Sequence, residues 1–139
     1  MSVILPGATI GILGGGQLGR MTAMAARPLG YKVHVLDPDP SCAARFVVER
    51  CLTAAFDDDF AAADLARHCA VVTLEIEKIA PESMAAVRRY APVRPGSDVL
   101  SVVQDRGRQR KWLSDHGFPT VDWRRVASAR WRKYACTAS

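Results

Sequence analysis

Residues 9–21 read TIGILGGGQLGRM, a short apolar run followed by a glycine-rich turn. The run Thr9–Leu13 predicts a buried β-strand because it is continuously apolar. Gly14, Gly16 and Gly19 then form the pattern G-x-G-x-x-G, directly after the predicted strand and at the start of a predicted helix. In that context the pattern indicates an anion-binding turn of an α/β fold.

A helix is predicted from Gln17 to about Ala26, and its start explains why the turn favours a ligand. The free N–H groups at the beginning of a helix favour an anion, usually phosphate. Glycine tolerates a positive φ and lets a ligand reach the backbone without a Cβ in the way. Leu18, Met21 and Ala25 lie three and four residues apart in this helix, so they share one face.

Downstream of the turn, short apolar runs alternate with helical patterns. Strands are predicted over residues 32–36, 51–53, 70–74 and 93–95. Helices are predicted over residues 58–68, 81–90 and 105–116, with a further helix beginning near residue 97. This alternation predicts an α/β fold, a Rossmann-like open parallel sheet with flanking helices.

Composition bounds the class of protein. A chain of 139 residues, 49% hydrophobic and 24% charged, predicts one packed domain. We expect residues 1–96 to form that domain, residues 97–126 to form a helical segment, and residues 127–139 to be an irregular tail. The net charge is +5, yet no nucleic-acid-reading motif accompanies it, so no nucleic-acid partner is expected. Scattered cysteines, with no evident signal peptide or membrane span, predict a cytoplasmic protein.

The glycine turn alone leaves three interpretations open. It could bind a dinucleotide, in which case Asp37 after the second predicted strand is well placed to hold a ribose. It could bind a smaller phosphorylated molecule through the same amides. It could also serve only close packing of the strand against the helix, because glycine has no Cβ.

The wider sequence is more specific than the glycine pattern. It contains, in order, GILGGGQLGRM (11–21), VLDPDP (35–40), TLEIE (73–77), QDR (104–106) and GFPT (117–120). This order and spacing resemble the first domain of the 5-(carboxyamino)imidazole ribonucleotide synthase family, within the ATP-grasp superfamily. The resemblance covers about Ile10 to Val126, which is nearly the whole chain.

The resemblance implies a Rossmann-like pre-ATP-grasp domain in an enzyme of purine biosynthesis. The full-length family carboxylates aminoimidazole ribonucleotide with bicarbonate at the expense of ATP, with Mg²⁺ as cofactor, and can form a homodimer. By the same resemblance, the substrate-binding residues are Gly16, Gln17, Leu18 and Glu75. Arg106 matches an arginine that reaches the ATP. Asp37 would then belong to the turn rather than hold a ribose.

The segment around Glu75 agrees with this expectation. Glu75 follows the fourth predicted strand, and ligands of open parallel sheets bind beyond the carboxyl ends of the strands. If the segment stays extended, Glu75 and Glu77 point the same way, by the strand period of two. Carboxylates there could accept hydrogen bonds from ribose hydroxyls or an amine; otherwise they are a solvated, ion-paired loop.

Three departures from the family pattern bear on activity. Lys78 stands where the family usually has Asn or His, and Gly107 stands where an apolar residue is usual. The ATP-grasp domain of the family has no counterpart in this sequence, and the tail after Ala129 resembles nothing in the family. A shifted reading frame is one hypothesis for that tail. We therefore expect a truncated enzyme domain that is inactive alone; a stand-alone ribonucleotide- or NAD-binding Rossmann module is the alternative.

Overall fold

Five parallel strands form one sheet in the order β3-β2-β1-β4-β5. The computed structural model of the protein describes residues 3–125. The strands are β1 (Thr9–Leu13), β2 (Lys32–Asp37), β3 (Arg50–Thr53), β4 (Val71–Leu74) and β5 (Val93–Arg94). The helices are α1 (Gln17–Ala26), α2 (Asp59–Arg67), α3 (Pro81–Arg88), α4 (Ser97–Val103) and α5 (Arg106–Asp115). The predicted α/β fold with a parallel sheet and flanking helices is confirmed.

The strand order fixes where a ligand can bind. From β1 the chain builds outward to β2 and β3, then returns to the other side of β1 with β4 and β5. Ligands of open parallel sheets bind at such a reversal, beyond the carboxyl ends of the two strands that flank it. Those strands here are β1 and β4, so the glycine turn after Leu13 and the segment after Leu74 lie at the same edge.

The sheet is buried because apolar side chains cover it. Ile12, Val33 and Val35 pack with Ala23 of α1 and with Ala44 of a short 3-10 helix. The largest fully buried side chains in the described residues are Ile12, Leu13, Leu36, Leu65, Ile79, Met84, Val33, Val35, Val72, Val87 and Ser83. Burial on both faces explains why the strands read as continuous apolar runs rather than alternating ones.

The apolar face predicted for α1 exists, but it points away from the sheet. Leu18 and Met21 are 61% and 62% exposed, whereas the helix buries Gly19, Ala23 and Ala26. The reason is the close approach of α1 to the glycine turn, where a Cβ on Gly19 would lie 2.5 Å from the carbonyl oxygen of Gly14. Small residues therefore face inward, and the larger apolar residues are left outside.

The chain divides into two compact units, the first ending at Leu100 and the second beginning at Ser101. Within the second unit, Asp105 caps α5 by accepting a hydrogen bond from the backbone N–H of Arg108 at 2.8 Å. Gly117 has φ +74° just beyond that helix, as a glycine that ends a helix should.

The predicted tail 127–139 lies outside the described residues. From Val3 to Arg125, no helix has the length and apolar character needed to cross a membrane.

Candidate functional site

The glycine turn is held from behind by backbone hydrogen bonds. The N–H of Gly14 donates to the carbonyl oxygen of Leu36 at 2.9 Å, and Gly14 has φ +109°. The N–H of Gly15 donates to Oδ2 of Asp37 at 2.7 Å, and the carbonyl oxygen of Gly15 accepts from Ala44 at 2.8 Å. These two amides therefore fix the shape of the turn and are not directed to a ligand.

Both carboxylate oxygens of Asp37 accept hydrogen bonds from backbone N–H groups. Its Oδ2 accepts from Gly15, its Oδ1 accepts from the backbone N–H of Asp39 at 2.8 Å, and the residue is only 9% exposed. A ribose-holding acid of a dinucleotide site needs an oxygen directed to the ligand. The geometry therefore supports the interpretation of Asp37 as part of the turn.

The amides available for an anion are those that begin α1. Gly16 caps the helix without a side-chain hydrogen bond, and Arg20 makes the first helical bond, from its N–H to the Gly16 oxygen at 2.9 Å. The N–H groups of Gln17 and Leu18 precede that bond, where helix geometry gives them no intrahelical acceptor. No acidic residue lies in the first turn of α1, so its positive end is not neutralised from within the helix.

Glu75 lies against this turn. Its backbone N–H donates to the carbonyl oxygen of Leu13 at 2.9 Å, which extends the pairing of β4 with β1 by one residue. A Cβ on Gly16 would lie 2.8 Å from Oε1 of Glu75, and one on Gly14 would lie 2.5 Å from Oε2. The structure thus brings together Glu75 and Gly16, two residues predicted for the substrate site, with Gln17 and Leu18 next in the chain.

The expected pairing of Glu75 with Glu77 is not met. Strand β4 ends at Leu74 and the chain bends at Glu75, so the strand period of two no longer applies. Ile76 also faces the turn, since its Cγ2 would lie 3.2 Å from a Cβ on Gly14. Glu77 is exposed, whereas Glu75 is partly buried.

Arg106 belongs to the second unit and is its first helical residue. It is exposed, and its Nη1 donates to Oε1 of Gln109 at 2.9 Å. A cavity of about 830 Å³ in that unit is lined by Asp105, Arg106, Gly107, Arg110, Trp123, Arg124 and Arg125. Of these lining residues, the sequence predicted a ligand contact only for Arg106, although the basic composition of this stretch was a visible signal.

Gly107 has a structural role in that cavity. A Cβ at this position would lie 2.5 Å from Nη2 of Arg125, whose guanidinium pairs with Oδ1 of Asp105 at 2.6 Å. The departure from the family pattern at Gly107 therefore makes room for an arginine close to Arg106.

Within residues 3–125, no group of three or more His, Cys, Asp or Glu side chains is arranged to hold a metal ion.

Comparison with known proteins identifies the class to which this fold and turn belong. A family model described as the ribonucleotide synthetase preATP-grasp domain matches residues 7–104. The chain belongs to that family. Within it, the chain is similar to N5-carboxyaminoimidazole ribonucleotide synthases, so the family resemblance seen in the sequence is confirmed.

The relatives show how much is shared. The N5-carboxyaminoimidazole ribonucleotide synthase of Brucella melitensis is 42% identical over 121 residues, covering 87% of this chain and 33% of the relative. The crystal structure of N5-carboxyaminoimidazole synthetase from Staphylococcus aureus complexed with ADP superposes with a TM-score of 0.85 at 35% identity. That match covers 95% of this chain and 35% of the other. The chain thus spans about a third of the length of these relatives.

A fungal structure shows the ligands of one such relative. The N5-carboxyaminoimidazole synthase of Aspergillus clavatus, in complex with ADP and 5-aminoimidazole ribonucleotide, superposes with a TM-score of 0.71 at 28% identity. The match covers 93% of this chain and 35% of that one.

Proposed function

We propose that this chain is the ribonucleotide-binding domain of an enzyme of purine biosynthesis that carboxylates 5-aminoimidazole ribonucleotide. The observation that carries the proposal is the approach of Glu75 to the glycine turn at the reversal between β1 and β4. The similarity to synthases of that name supports the choice of substrate, and one relative has been crystallised with this ribonucleotide.

The site suits a ligand that carries both an anion and hydrogen-bond donors. The amides of Gln17 and Leu18, at the positive end of α1, would hold the phosphate. The Glu75 carboxylate lies against Gly16, which directly precedes them, and would repel a bare phosphate, so the ligand must present a donor to this carboxylate. A ribonucleotide meets both needs, because its ribose hydroxyls and the amine of its base are donors. Because Gly16 has no Cβ, the carboxylate of Glu75 can lie close to the start of α1.

The remaining parts of the reaction are proposed from the family. ATP would contact Arg106, whose forked guanidinium donors match phosphate oxygens. Bicarbonate is the proposed carbon source. Mg²⁺ would assist phosphoryl transfer; residues 3–125 contain no group of three or more His, Cys, Asp or Glu side chains arranged to hold it.

The proposal also includes the organisation of the chain. Residues 1–96 would be the substrate-side domain, and residues 97–126 would lead toward the ATP-binding part of the full-length family. We further propose a homodimer in the cytoplasm. Sedimentation velocity over a hundredfold range of protein concentration would test the dimer, because a dimer approaches twice the mass of the chain at high concentration and a monomer does not.

A dinucleotide-binding module is the less favoured alternative. Its main requirement is an acid free to hold a ribose after β2, but Asp37 accepts hydrogen bonds from the backbone N–H of Gly15 in the glycine turn and from that of Asp39. NAD is therefore expected to bind weakly or not at all.

Calorimetric titration of the chain tests the site directly. The probes are 5-aminoimidazole ribonucleotide, the corresponding nucleoside without phosphate, and NAD. We expect the ribonucleotide to bind at least tenfold more tightly than either of the other two, a difference of about 1.4 kcal/mol or more. Tighter binding of NAD would replace our proposal with the dinucleotide alternative.

Matched variants locate the binding. Glu75→Gln keeps the shape of the side chain but removes its charge, so affinity for the ribonucleotide should fall about tenfold or more. Glu82→Gln makes the same substitution at an exposed glutamate in the first turn of α3, and should leave affinity unchanged. Equal effects of the two substitutions would place the ligand elsewhere.

A further inference from the structure

Two cysteine thiols lie side by side behind the glycine turn. Sγ of Cys42 is 3.7 Å from Sγ of Cys51. Cys51 is held in β3, where it pairs with Val35 of β2. Cys42 follows the turn after β2 and directly precedes the 3-10 helix Ala43–Val47. Cys42 is 5% exposed and Cys51 is partly exposed.

Cys42 is in contact with the turn that carries the proposed site. A Cβ on Gly15 would lie 2.6 Å from Sγ of Cys42, so the thiol occupies the space directly behind that residue. Two residues later, the N–H of Ala44 donates to the carbonyl oxygen of Gly15. Any movement of Cys42 is therefore transmitted to Gly15 through a side-chain contact and a nearby backbone hydrogen bond.

We propose that Cys42 and Cys51 form a redox modification site, closing to an intramolecular disulfide that reshapes the backbone around Gly15. A disulfide has sulfurs about 2.05 Å apart, so the two sulfur atoms must approach by about 1.7 Å from their 3.7 Å separation. Cys42 moves toward β3 in doing so and withdraws from the turn. The amides of Gly15 and Ala44 are the groups that respond.

A hydroperoxide can drive this step without any cofactor. The thiolate of Cys51, the more exposed of the two, attacks one oxygen of hydrogen peroxide, forming a sulfenic acid and releasing hydroxide. The sulfur of Cys42 then attacks the sulfenic sulfur, forming the S–S bond, and the sulfenic oxygen leaves as water with the thiol proton of Cys42. The two thiols lose two electrons and two protons in total, and the peroxide is reduced to two molecules of water.

The fraction of Cys51 present as thiolate sets the rate of disulfide formation. Burial and the hydrogen bond with Cys42 raise the pKa of Cys51 to about 11, so little thiolate is present at neutral pH. Because the thiolate is the nucleophile, the rate of cross-linking should rise about tenfold for each pH unit between pH 7 and pH 9. A reactive thiol of low pKa would show a rate that is flat over this range.

Tryptic peptide mapping gives a direct readout. Trypsin cleaves after Lys32, Arg45, Arg50 and Arg67, so it places Cys42 in peptide 33–45 and Cys51 in peptide 51–67. The full chain is prepared as Cys136→Ser to exclude a thiol outside the described residues, treated with dilute hydrogen peroxide, alkylated and digested. We expect one cross-linked species joining these two peptides, and its loss after treatment with dithiothreitol.

Two variants and one spectrum complete the test. Cys51→Ser should abolish the cross-link, while Cys69→Ser, which removes a thiol lying against Gly11 in β1, should leave it intact.

Amide NMR of the oxidised chain should show shifted resonances for Gly15 and Ala44, restored on reduction, with the Gly7 resonance unchanged as a control. Separate oxidation of the two cysteines to sulfinic acids, or a disulfide that leaves the Gly15 and Ala44 amides unmoved, would overturn the proposal. Neither readout requires a ligand, so failure here is distinct from failure of the proposed ribonucleotide site.

Discussion

The backbone N–H of Gly15 donates to Oδ2 of Asp37 across 2.7 Å, linking the glycine turn to the end of the neighbouring strand. A second bond, from Asp39 to Oδ1, fixes the carboxylate on its other side. The carboxylate is buried and hydrogen-bonded by two backbone amides, so the conformation of the turn depends on a side chain 22 residues away.

Replacing Asp37 should destabilise the protein. Asp37→Asn keeps the size of the side chain but presents an amide NH₂ to one of the two backbone N–H donors, leaving that donor unsatisfied. A buried hydrogen bond to a charged group is worth roughly 1.5–3 kcal/mol, so the free energy of unfolding should fall by about 2 kcal/mol in urea denaturation. Asp39→Asn, at an exposed residue whose bonds to Ser41 water can replace, is the control and should lose far less. Equal losses would mean that Asp37 does not hold the turn.

Gly14 should resist replacement more strongly than another glycine with a similar φ. Gly14→Ala forces a Cβ into the positive-φ region and against the carboxylate of Glu75, whereas Gly7→Ala meets no atom within 4 Å. The backbone strain, about 1–3 kcal/mol, should be common to both. Only Gly14→Ala should also weaken ribonucleotide binding, which titration would measure beside urea unfolding. Equal binding by the two variants would argue against the proposed contact of Glu75 with the ligand.

Stability should rise with pH near neutrality because of His34. Burial lowers the pKa of His34 below its usual 6.5, and the nearby positive charge of Arg50 adds to the effect. Its Nδ1 is buried without a hydrogen-bond partner in the described part of the chain. The unfolded chain therefore binds a proton at His34 more readily than the folded chain, so the free energy of unfolding falls as pH drops below 6.5.

Urea unfolding at pH 7 and pH 5.5 would measure this dependence. His34→Gln removes the titrating group, so the difference in unfolding free energy between the two pH values should shrink. His68→Gln changes the neighbouring imidazole, whose ring centroid is 6.5 Å from that of His34, and serves as the comparison. An undiminished pH dependence in His34→Gln would assign the effect to other groups.

Gly107→Ala should strengthen α5 slightly. Alanine is favoured over glycine in a helix by about 1 kcal/mol. The added Cβ displaces the far end of Arg125, whose side chain is 65% exposed and whose ion pair with Asp105 contributes less than about 1 kcal/mol. Amide hydrogen exchange across α5 should slow in Gly107→Ala. Arg125→Ala removes the ion pair alone, and faster exchange in both variants would show that the pair outweighs the helix preference.

The sequence predicted the sheet because local signals and tertiary packing agree there. The run Thr9–Leu13 is apolar enough to be buried on both sides, and the glycines after it leave few alternatives to a tight turn into a helix. The same signals placed Glu75 at the carboxyl end of β4, and the structure brings its carboxylate to Gly14 and Gly16.

Features that depend on packing between distant segments could not be predicted in the same way. Periodicity showed that Leu18 and Met21 share a face, but not that the inward positions would go to Gly19 and Ala23. The contact of Cys42 with Cys51 likewise depends on the register of β3 against β2, which neither segment encodes alone.

The strand order β3-β2-β1-β4-β5 also bears on how the chain folds as it is made. Within this sheet the strand made earliest, β1, becomes the middle one, and one of its two neighbours, β4, lies 61 residues later, since Ile10 pairs with Val71. At the roughly 5–20 residues per second of translation, β1 waits about 3–12 s with one edge unpaired. During that interval the nascent chain exposes an apolar strand edge that can pair with another chain or be bound by a chaperone, so co-translational protection of residues 9–13 should strongly influence the yield of folded protein.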